Sequence, residues 1–347
     1  MSTLSNFKVD NRGRGVLSVL TMREFLEDIE KKALSGEGMT NGEAEEFSKI
    51  LEAEIFDVLP VTKKVRERFK GIEINLCGIV NAKSGLCKED CSFCSQSVKY
   101  PTGVKEYPMV EPSVMIESAV TAEKIGAREF SIVTSGTKVS GDKDVEKLKK
   151  ALEGMKDKTN LETCASLGIL DSETLKSLKD AGLHSYHHNL ETSKSFFPSV
   201  CTTHEYEENV DTIRRAKGLG LYVCSGGIFG LGESWEDRIE LAETLRTLDV
   251  DCVPINFLNP RPGTPLEGAK NLTPLECLKL IALIRLMLPT KDIIVCGGRE
   301  VNLRSLQNLI FAAGANGMMV GNGLTTKGRD PEEDLRMIRD LGLKPRR

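Results

Sequence analysis

Aromatic residues are scarce in this sequence, at 5% of 347 residues, and there is a single tryptophan, Trp235. With a net charge of −4 and no basic run or aromatic-rich basic face, nucleic acid is not an expected partner. No apolar run approaches the ~20 residues of a membrane-spanning helix. The opening segment MSTLSNFKVDNRGRG also lacks the apolar centre of a secretory leader. The expectation is a cytoplasmic protein with no membrane partner. What remains is ordinary for a globular chain, 40% hydrophobic and 28% charged. Its length suits one large domain or two ordinary ones.

Cysteine is the exception to this plainness. Ten are present, and without a secretory leader a disulfide scaffold is a poor account of them, so metal or cluster ligation is expected. Three lie in Cys87-Lys-Glu-Asp-Cys91-Ser-Phe-Cys94. Thiolates are soft donors and favour zinc, copper(I) or iron–sulfur clusters. A structural zinc site wants a fourth ligand and usually a second CxxC pair, and neither is nearby. Three thiolates fit a 4Fe–4S cluster with one iron left open. The spacing C-x3-C-x2-C, with Phe93 before the last Cys, resembles the radical S-adenosylmethionine signature. That resemblance implies S-adenosylmethionine on the open iron and Phe93 beside its adenine.

Residues 1–18 read as a polar arm. Helical patterns follow at Met22–Ala33, Asn41–Ala53 and Thr62–Phe69, with Glu43, Glu45 and Glu46 suiting the N-terminal dipole of the second. Residues 1–70 are too short for a core of their own and read as a helical extension packed on a main domain spanning 71–347. From Ile72 onward, short apolar strands alternate with amphipathic helices. The strands are expected at Ile72–Val80, Glu129–Thr134, Asn160–Ala165, His184–Leu190, Leu221–Gly226, Val250–Asn256, Asp292–Cys296 and Gly317–Val320. Thr273-Pro-Leu-Glu276 and Asp330-Pro-Glu-Glu333 are helix starts, and Gly182 and Gly342 are helix stops. Eight β/α units read as an α/β protein with a (β/α)8 TIM-type barrel, with chemistry on the loops after the strands. No dinucleotide fingerprint follows the first strand to support an open doubly wound sheet.

Two further stretches fall at strand ends. Gly226-Gly-Ile228-Phe-Gly230-Leu-Gly-Glu233 lets backbone approach a ligand closely, and by itself it is equally a tight turn. Tyr186-His-His-Asn189-Leu-Glu191-Thr-Ser193 concentrates polar residues after the fourth strand. His187 and His188 face opposite sides of a strand and cannot readily share one ion. Taken with AKSGLCKEDCSFCSQS, LETCASLGIL, VPINFLNPRPGTPL and AGANGMMVGNGLTT, these stretches resemble the biotin synthase family from about Ile72 to Pro345.

The resemblance implies sulfur insertion into dethiobiotin to give biotin, with a reducing electron-donor protein as partner and a homodimer as an open option. It implies S-adenosylmethionine contacts at Phe93, Ser135, Asn189, Glu191, Ile228, Gly230 and Glu233. It also implies substrate contacts at His187, Asn256, Thr325 and Thr326. His187 stands where the family usually has Asn, and Glu191 where it often has Asp. Familiar members hold a second, 2Fe–2S cluster with three Cys and an Arg. Cys164 and Cys224 keep two of those positions, but Ser131 and Ile294 occupy the other Cys and the Arg. The expected replacement set is Cys77, Cys164, Cys201 and Cys224, with Cys296 in reserve, and four thiolates suit a four-iron auxiliary cluster. Cys252 and Cys277 read as small core residues. The alternatives are a related radical enzyme, of lipoyl-type sulfur insertion or cluster maturation, and a non-catalytic iron–sulfur or zinc protein.

Overall fold

The computed structural model describes residues 8–9, 15–16, 19–139 and 141–346. The polar arm expected at 1–18 lies mostly outside these; within it, Lys8–Val9 and Gly15–Val16 pair antiparallel. Eight parallel strands form a closed ring: β1 (Glu73–Lys83), β2 (Glu129–Thr134), β3 (Glu162–Ser166), β4 (Ser185–His187), β5 (Tyr222–Cys224, resuming at Gly227–Phe229), β6 (Cys252–Phe257), β7 (Asp292–Val295) and β8 (Gly317–Met319). Closure is made where β8 pairs with β1, Met319 opposite Cys77, and where β6 pairs with β7. Lys344–Pro345 adds to the start of β1. This is a (β/α)8 barrel.

Alternation along each strand divides the side chains between two environments. On β2, Phe130 and Ile132 turn outward and are buried under the helices. Glu129, Ser131 and Val133 turn inward and line the barrel interior. Apolar packing therefore lies mainly between barrel and helices, leaving the interior polar and rich in thiols.

Two expected strands are shorter in the structure, for local reasons. β4 stops at His187 because the chain turns off the ladder, reaching φ +67° at Glu191. β5 breaks at Ser225-Gly226, where the backbone lies so close to β6 that a Cβ on Gly226 would sit 2.0 Å from the Pro254 carbonyl oxygen. Only glycine fits there.

The helices Val19–Leu34, Asn41–Ser48 and Ile55–Lys70 pack over the helix Pro274–Met287. That helix, started by the Thr273 hydroxyl accepting from the Glu276 amide at 3.0 Å, is buried at every residue from Cys277 to Met287. A helix apolar all round needs cover on both sides, and the N-terminal helices supply the outer one. The second of these begins in a capping box between Thr40 and Glu43 and ends earlier than the sequence pattern suggests. There, Lys279 donates to the carbonyl oxygens of Ser48 (2.6 Å) and Ile50 (2.5 Å). The third begins at Ile55, about two turns before the expected Thr62, with Pro60 inside it. Among the described residues no helix is long and apolar enough to cross a membrane.

Arg285 is fully buried and donates to the carbonyl oxygens of Gly314, Pro289 and Lys291 and to Asn316 Oδ1, all at 2.8–2.9 Å. It ties the buried helix to the segments around β7 and β8. Arg285→Met strands those acceptors away from water, at roughly 1–3 kcal/mol each and not additively. A loss of about 3 kcal/mol or more in urea denaturation is expected.

Candidate active site

One cavity of about 480 Å³ opens at the carboxyl ends of the strands and runs down into the barrel. Of the residues singled out from the sequence, all line it except Gly230 and Glu233.

The upper wall is the loop carrying Cys87, Cys91 and Cys94. Its path is fixed by backbone bonds from Cys87 N to Gln96 O and from Val98 N to Cys87 O. The Ser135 hydroxyl donates to Gly85 O at 2.6 Å, bracing the loop from the end of β2. The two acids between the first cysteines reach the segment after β4. Asp90 accepts from the Thr202 amide (2.8 Å) and hydroxyl (2.5 Å). Glu89 accepts from Thr137, Thr203 and His204 Nδ1, the last at 2.9 Å. Burial works to raise the Asp90 carboxyl, but the donors of Thr202, Cys201 and Thr203 outweigh it and hold it well below the usual range. The Cys94 thiol is pushed up to about 11, chiefly by burial, and Cys87 is raised for the same reason. These thiols stay protonated until a metal displaces the proton.

Above the barrel, His187, Asn189 and Glu191 share one side by alternation. His187 Nε2 meets Asn189 Oδ1 at 2.9 Å, and Asn189 Nδ2 donates to Glu191 at 3.4 Å. Burial lifts the Glu191 carboxyl to about 7 against the lowering effect of Asn189. His188 turns the other way, to Asn209 Oδ1 at 2.9 Å, and burial pushes it down to about 4. Phe93, Ile228, Leu231 and Leu258 form a small apolar cluster suited to an adenine face. Glu233 does not reach the cavity. It accepts from Gly230 N at 2.9 Å and pairs with Arg238 at 2.8 Å, so it shapes the turn behind Ile228. Asn256 accepts from Gly297 N (2.9 Å) and donates to Gly227 O (3.3 Å). One amide hydrogen and one lone pair are left for a ligand. Thr325 and Thr326 lie at the rim, in the loop after β8.

The lower wall carries Cys77 (β1), Cys164 (β3), Cys224 (β5) and Cys296 (just past β7), with Glu129 and Ser131 from β2. Cys77 lies within electrostatic reach of Glu129, Cys164, Cys296 and Cys252. Cys224 is hydrogen-bonded to Cys252, which lowers its thiol, while burial raises it to a net value of about 12. All ten cysteines are free. The Ser131 hydroxyl is buried and without a partner. A ring of protonated soft donors, with an orphaned hydroxyl among them, fits an iron–sulfur cluster better than a closed core.

Cys201 corrects the expected grouping. It lies not with these thiols but against the upper loop, 3.3 Å from Asp90 Oδ1 and 3.3 Å from His204 Nδ1, and it is hydrogen-bonded to Cys91. The physical reason is the Asp90–Thr202 clamp, which draws residues 201–204 up to the cluster loop. Cys252, expected as inert core, touches Cys224 from behind the lining. Sequence reasoning also passed over Glu89, Asp90, His204 and Glu129. The acids between Cys87 and Cys91 were the available signal, but their partners lie 48 residues away at Thr137 and more than a hundred away at Thr202, Thr203 and His204.

Residues 83–245 match the Radical SAM superfamily, and residues 254–344 match the Biotin and Thiamin Synthesis associated domain. The fold resembles methylornithine synthase (TM-score 0.78, 22% identity, covering 92% of this chain and 97% of that one) and a maturase of the [FeFe]-hydrogenase (TM-score 0.79, 16% identity, 93% and 76%). Barrel, cluster loop and cavity thus define a radical S-adenosylmethionine enzyme. The chain is 50% identical over 322 residues to a biotin synthase of Geotalea uraniireducens, covering 93% of this chain and 98% of that one. It is 51% identical over 323 residues to that of Citrifermentans bemidjiense, with the same coverage. It belongs to the biotin synthase family.

Glu233 and Arg238 are both buried, and Arg238 also pairs with Glu276 at 2.8 Å. Glu233→Ala leaves part of that charge uncompensated and the Gly230 amide open, and a loss of about 3 kcal/mol is expected. Chemical denaturation measures it. S-adenosylmethionine binding to the same variant should weaken although Glu233 touches no ligand.

Proposed function

We propose a division of labour among this chain's residues for the family's reaction, conversion of dethiobiotin to biotin. Cys87, Cys91 and Cys94 hold the 4Fe–4S cluster at the top of the cavity. Cys77, Cys164, Cys224 and Cys296 hold the auxiliary cluster at its floor, with Cys296 in the place expected of Cys201. When bound, these groups and S-adenosylmethionine supply the carbon radical and the sulfur. The protein binds, orients and excludes water. Asn189 and Glu191 accept from the ribose hydroxyls, and Phe93 and Ile228 flank the adenine. Ser135 and Gly230 fix the loops around the cofactor, and Glu233 stiffens the turn. Asn256 and His187 meet the ureido ring of dethiobiotin, and Thr325 and Thr326 its carboxylate.

The observation that carries this reading is that both thiol sets open into the same cavity, with the polar ligand contacts on its walls. In parallel strands, earlier residues lie deeper. Cys77 and Cys164 lie within their strands, whereas Asn189 and Glu191 follow β4. A substrate seated among the walls would then have a cluster on either side. Four thiolates, with neither the family's Arg nor its third Cys in place, suit a four-iron auxiliary cluster. A reducing protein as electron source, a homodimer and a cytoplasmic setting complete the proposal.

Anaerobic assay with reductant and S-adenosylmethionine, scored for 5′-deoxyadenosine with and without dethiobiotin, tests it. Cys87→Ala, Cys91→Ala and Cys94→Ala should each abolish cleavage, since three ligands leave no redundancy. Retained cleavage in any of them refutes the upper site.

Iron analysis tests the floor. Reconstituted protein should hold near eight irons per chain, against near six for a 2Fe–2S auxiliary cluster. Cys296→Ser and Cys77→Ser should lose auxiliary iron, while Cys201→Ser should keep it. The reverse result restores the grouping read from the sequence.

A further inference from the structure

The cavity walls carry fixed charge of nearly one sign. Glu89, Glu129, Glu191 and Glu300 line it, and among the described residues Arg261 is the one lysine or arginine that does. The histidines do not redress the balance. Burial disfavours the charged form of His187 and His188, and His204 is paired with Glu89 at 2.9 Å. A ligand bearing a carboxylate therefore enters a space whose fixed charges mostly oppose it. An anion taken from water without a compensating charge is costly to bury. The hydroxyls of Thr325 and Thr326 can donate to it but carry no charge.

The backbone at Arg261 is stiff. Pro260 precedes it with a fixed φ, and Pro262 after it keeps Arg261 itself extended. Pro262-Gly263, with Gly263 at φ +82°, matches a type II turn, which needs positive φ at its third residue. The turn closes onto the Arg261 carbonyl oxygen, which accepts from the Thr264 amide at 3.2 Å and the Thr264 hydroxyl at 2.8 Å. Gly263 also abuts the cluster loop, where a Cβ on it would sit 2.6 Å from the Pro101 carbonyl oxygen. The guanidinium, by contrast, has no ion pair or hydrogen bond among the described residues. Glu300, the lining acid that follows β7, lies against Arg299 at 3.5 Å instead.

A free guanidinium on a rigid turn suits a carboxylate, which its planar fork meets with two parallel hydrogen bonds. Its place in the barrel also suits the substrate. Asn256 stands at the end of β6, and Arg261 follows further out in the same segment. Thr325 and Thr326 leave β8, and β7 pairs with β6 on one side and β8 on the other. A substrate whose ureido ring meets Asn256 sends its acid chain outward between these loops.

We propose that Arg261 recognises the substrate carboxylate, as the charged partner to the Thr325 and Thr326 hydroxyls, and so sets a preference for the acid over a neutral analogue. This rests on the reading that the cavity takes dethiobiotin. S-adenosylmethionine carries the other carboxylate at hand, but that group belongs to the open iron. Its ammonium and sulfonium also leave the molecule with net positive charge, which a guanidinium does not attract.

The test is anaerobic equilibrium dialysis of the reconstituted holoenzyme against dethiobiotin and against its primary amide, which matches the acid in size and carries no charge. S-adenosylmethionine binding is measured on the same samples. The wild type should prefer the acid. Arg261→Gln should raise the Kd for dethiobiotin about tenfold and leave that for the amide within about twofold. Arg261→Lys, a point charge without the fork, should fall between. S-adenosylmethionine affinity should hold in both variants, which also shows that they fold. Equal weakening of acid and amide overturns the proposal, because it makes Arg261 a packing residue. An unchanged Kd for dethiobiotin in Arg261→Gln overturns it as well. Weakened S-adenosylmethionine binding with dethiobiotin unaffected assigns the guanidinium to the cofactor instead. A wild type that binds neither dethiobiotin nor the amide overturns the functional reading, and this inference with it.

Discussion

Everything in this molecule follows from one geometric constraint: eight strands closed in a ring send every second side chain into a single shared interior. A core of branched aliphatics would fill that space. Here the inward positions include Cys77, Ser131, Cys164, Ser185, Cys224 and Cys296, and the apolar burial is moved outward, between strands and helices. The consequence is a chamber rather than a plug, walled by small polar and sulfur-bearing groups. Such a wall is costly unless something satisfies it, and the unpartnered hydroxyls of Ser131 and Thr134 mark where satisfaction is incomplete without a guest.

A second layer of organisation sits above the ring. The cluster loop is long, and its cysteines alone would not fix it. Asp90 and Glu89 gather Thr202, Thr203, Thr137 and His204 around them, so the loops after β2 and β4 converge on one short stretch of the loop after β1. The same clamp turns Cys201 upward. The Glu233–Arg238–Glu276 chain does comparable work on the other side, fixing the turn after β5 to the helix Pro274–Met287. The N-terminal helices finish the job by covering that helix. Functional groups at the mouth are thus held by ionic and hydrogen-bonded braces whose ends lie well outside the cavity.

The barrel and the upper site were legible because their signals are local. The spacing of Cys87, Cys91 and Cys94 needs no tertiary partner to be recognised. Strand–helix alternation with capped helix starts at Thr273 and Asp330 likewise reports the fold unit by unit. Boundaries were legible less well. The helix ending at Ser48 is cut short by Lys279, more than two hundred residues away, and β5 is broken by its approach to Pro254. Both are contacts that no window of sequence contains.

By itself, then, the sequence determined the repeat of β/α units, the three-cysteine loop and the polar ends of β4, β5 and β6, since each is written in adjacent residues with a fixed period. Only the tertiary structure decided which thiols meet. Cys201 follows β4 as closely as its neighbours in sequence suggest, yet the acid pair between Cys87 and Cys91 pulls it to the top of the barrel. Cys296 reaches the floor group, and Cys252 touches it from behind, because the closed ring sets β6 beside β5 and β7 beside β6, with β8 alone between β7 and β1. Distances between residues far apart in the chain are set by barrel closure and long-range hydrogen bonds, which spacing along the chain does not encode.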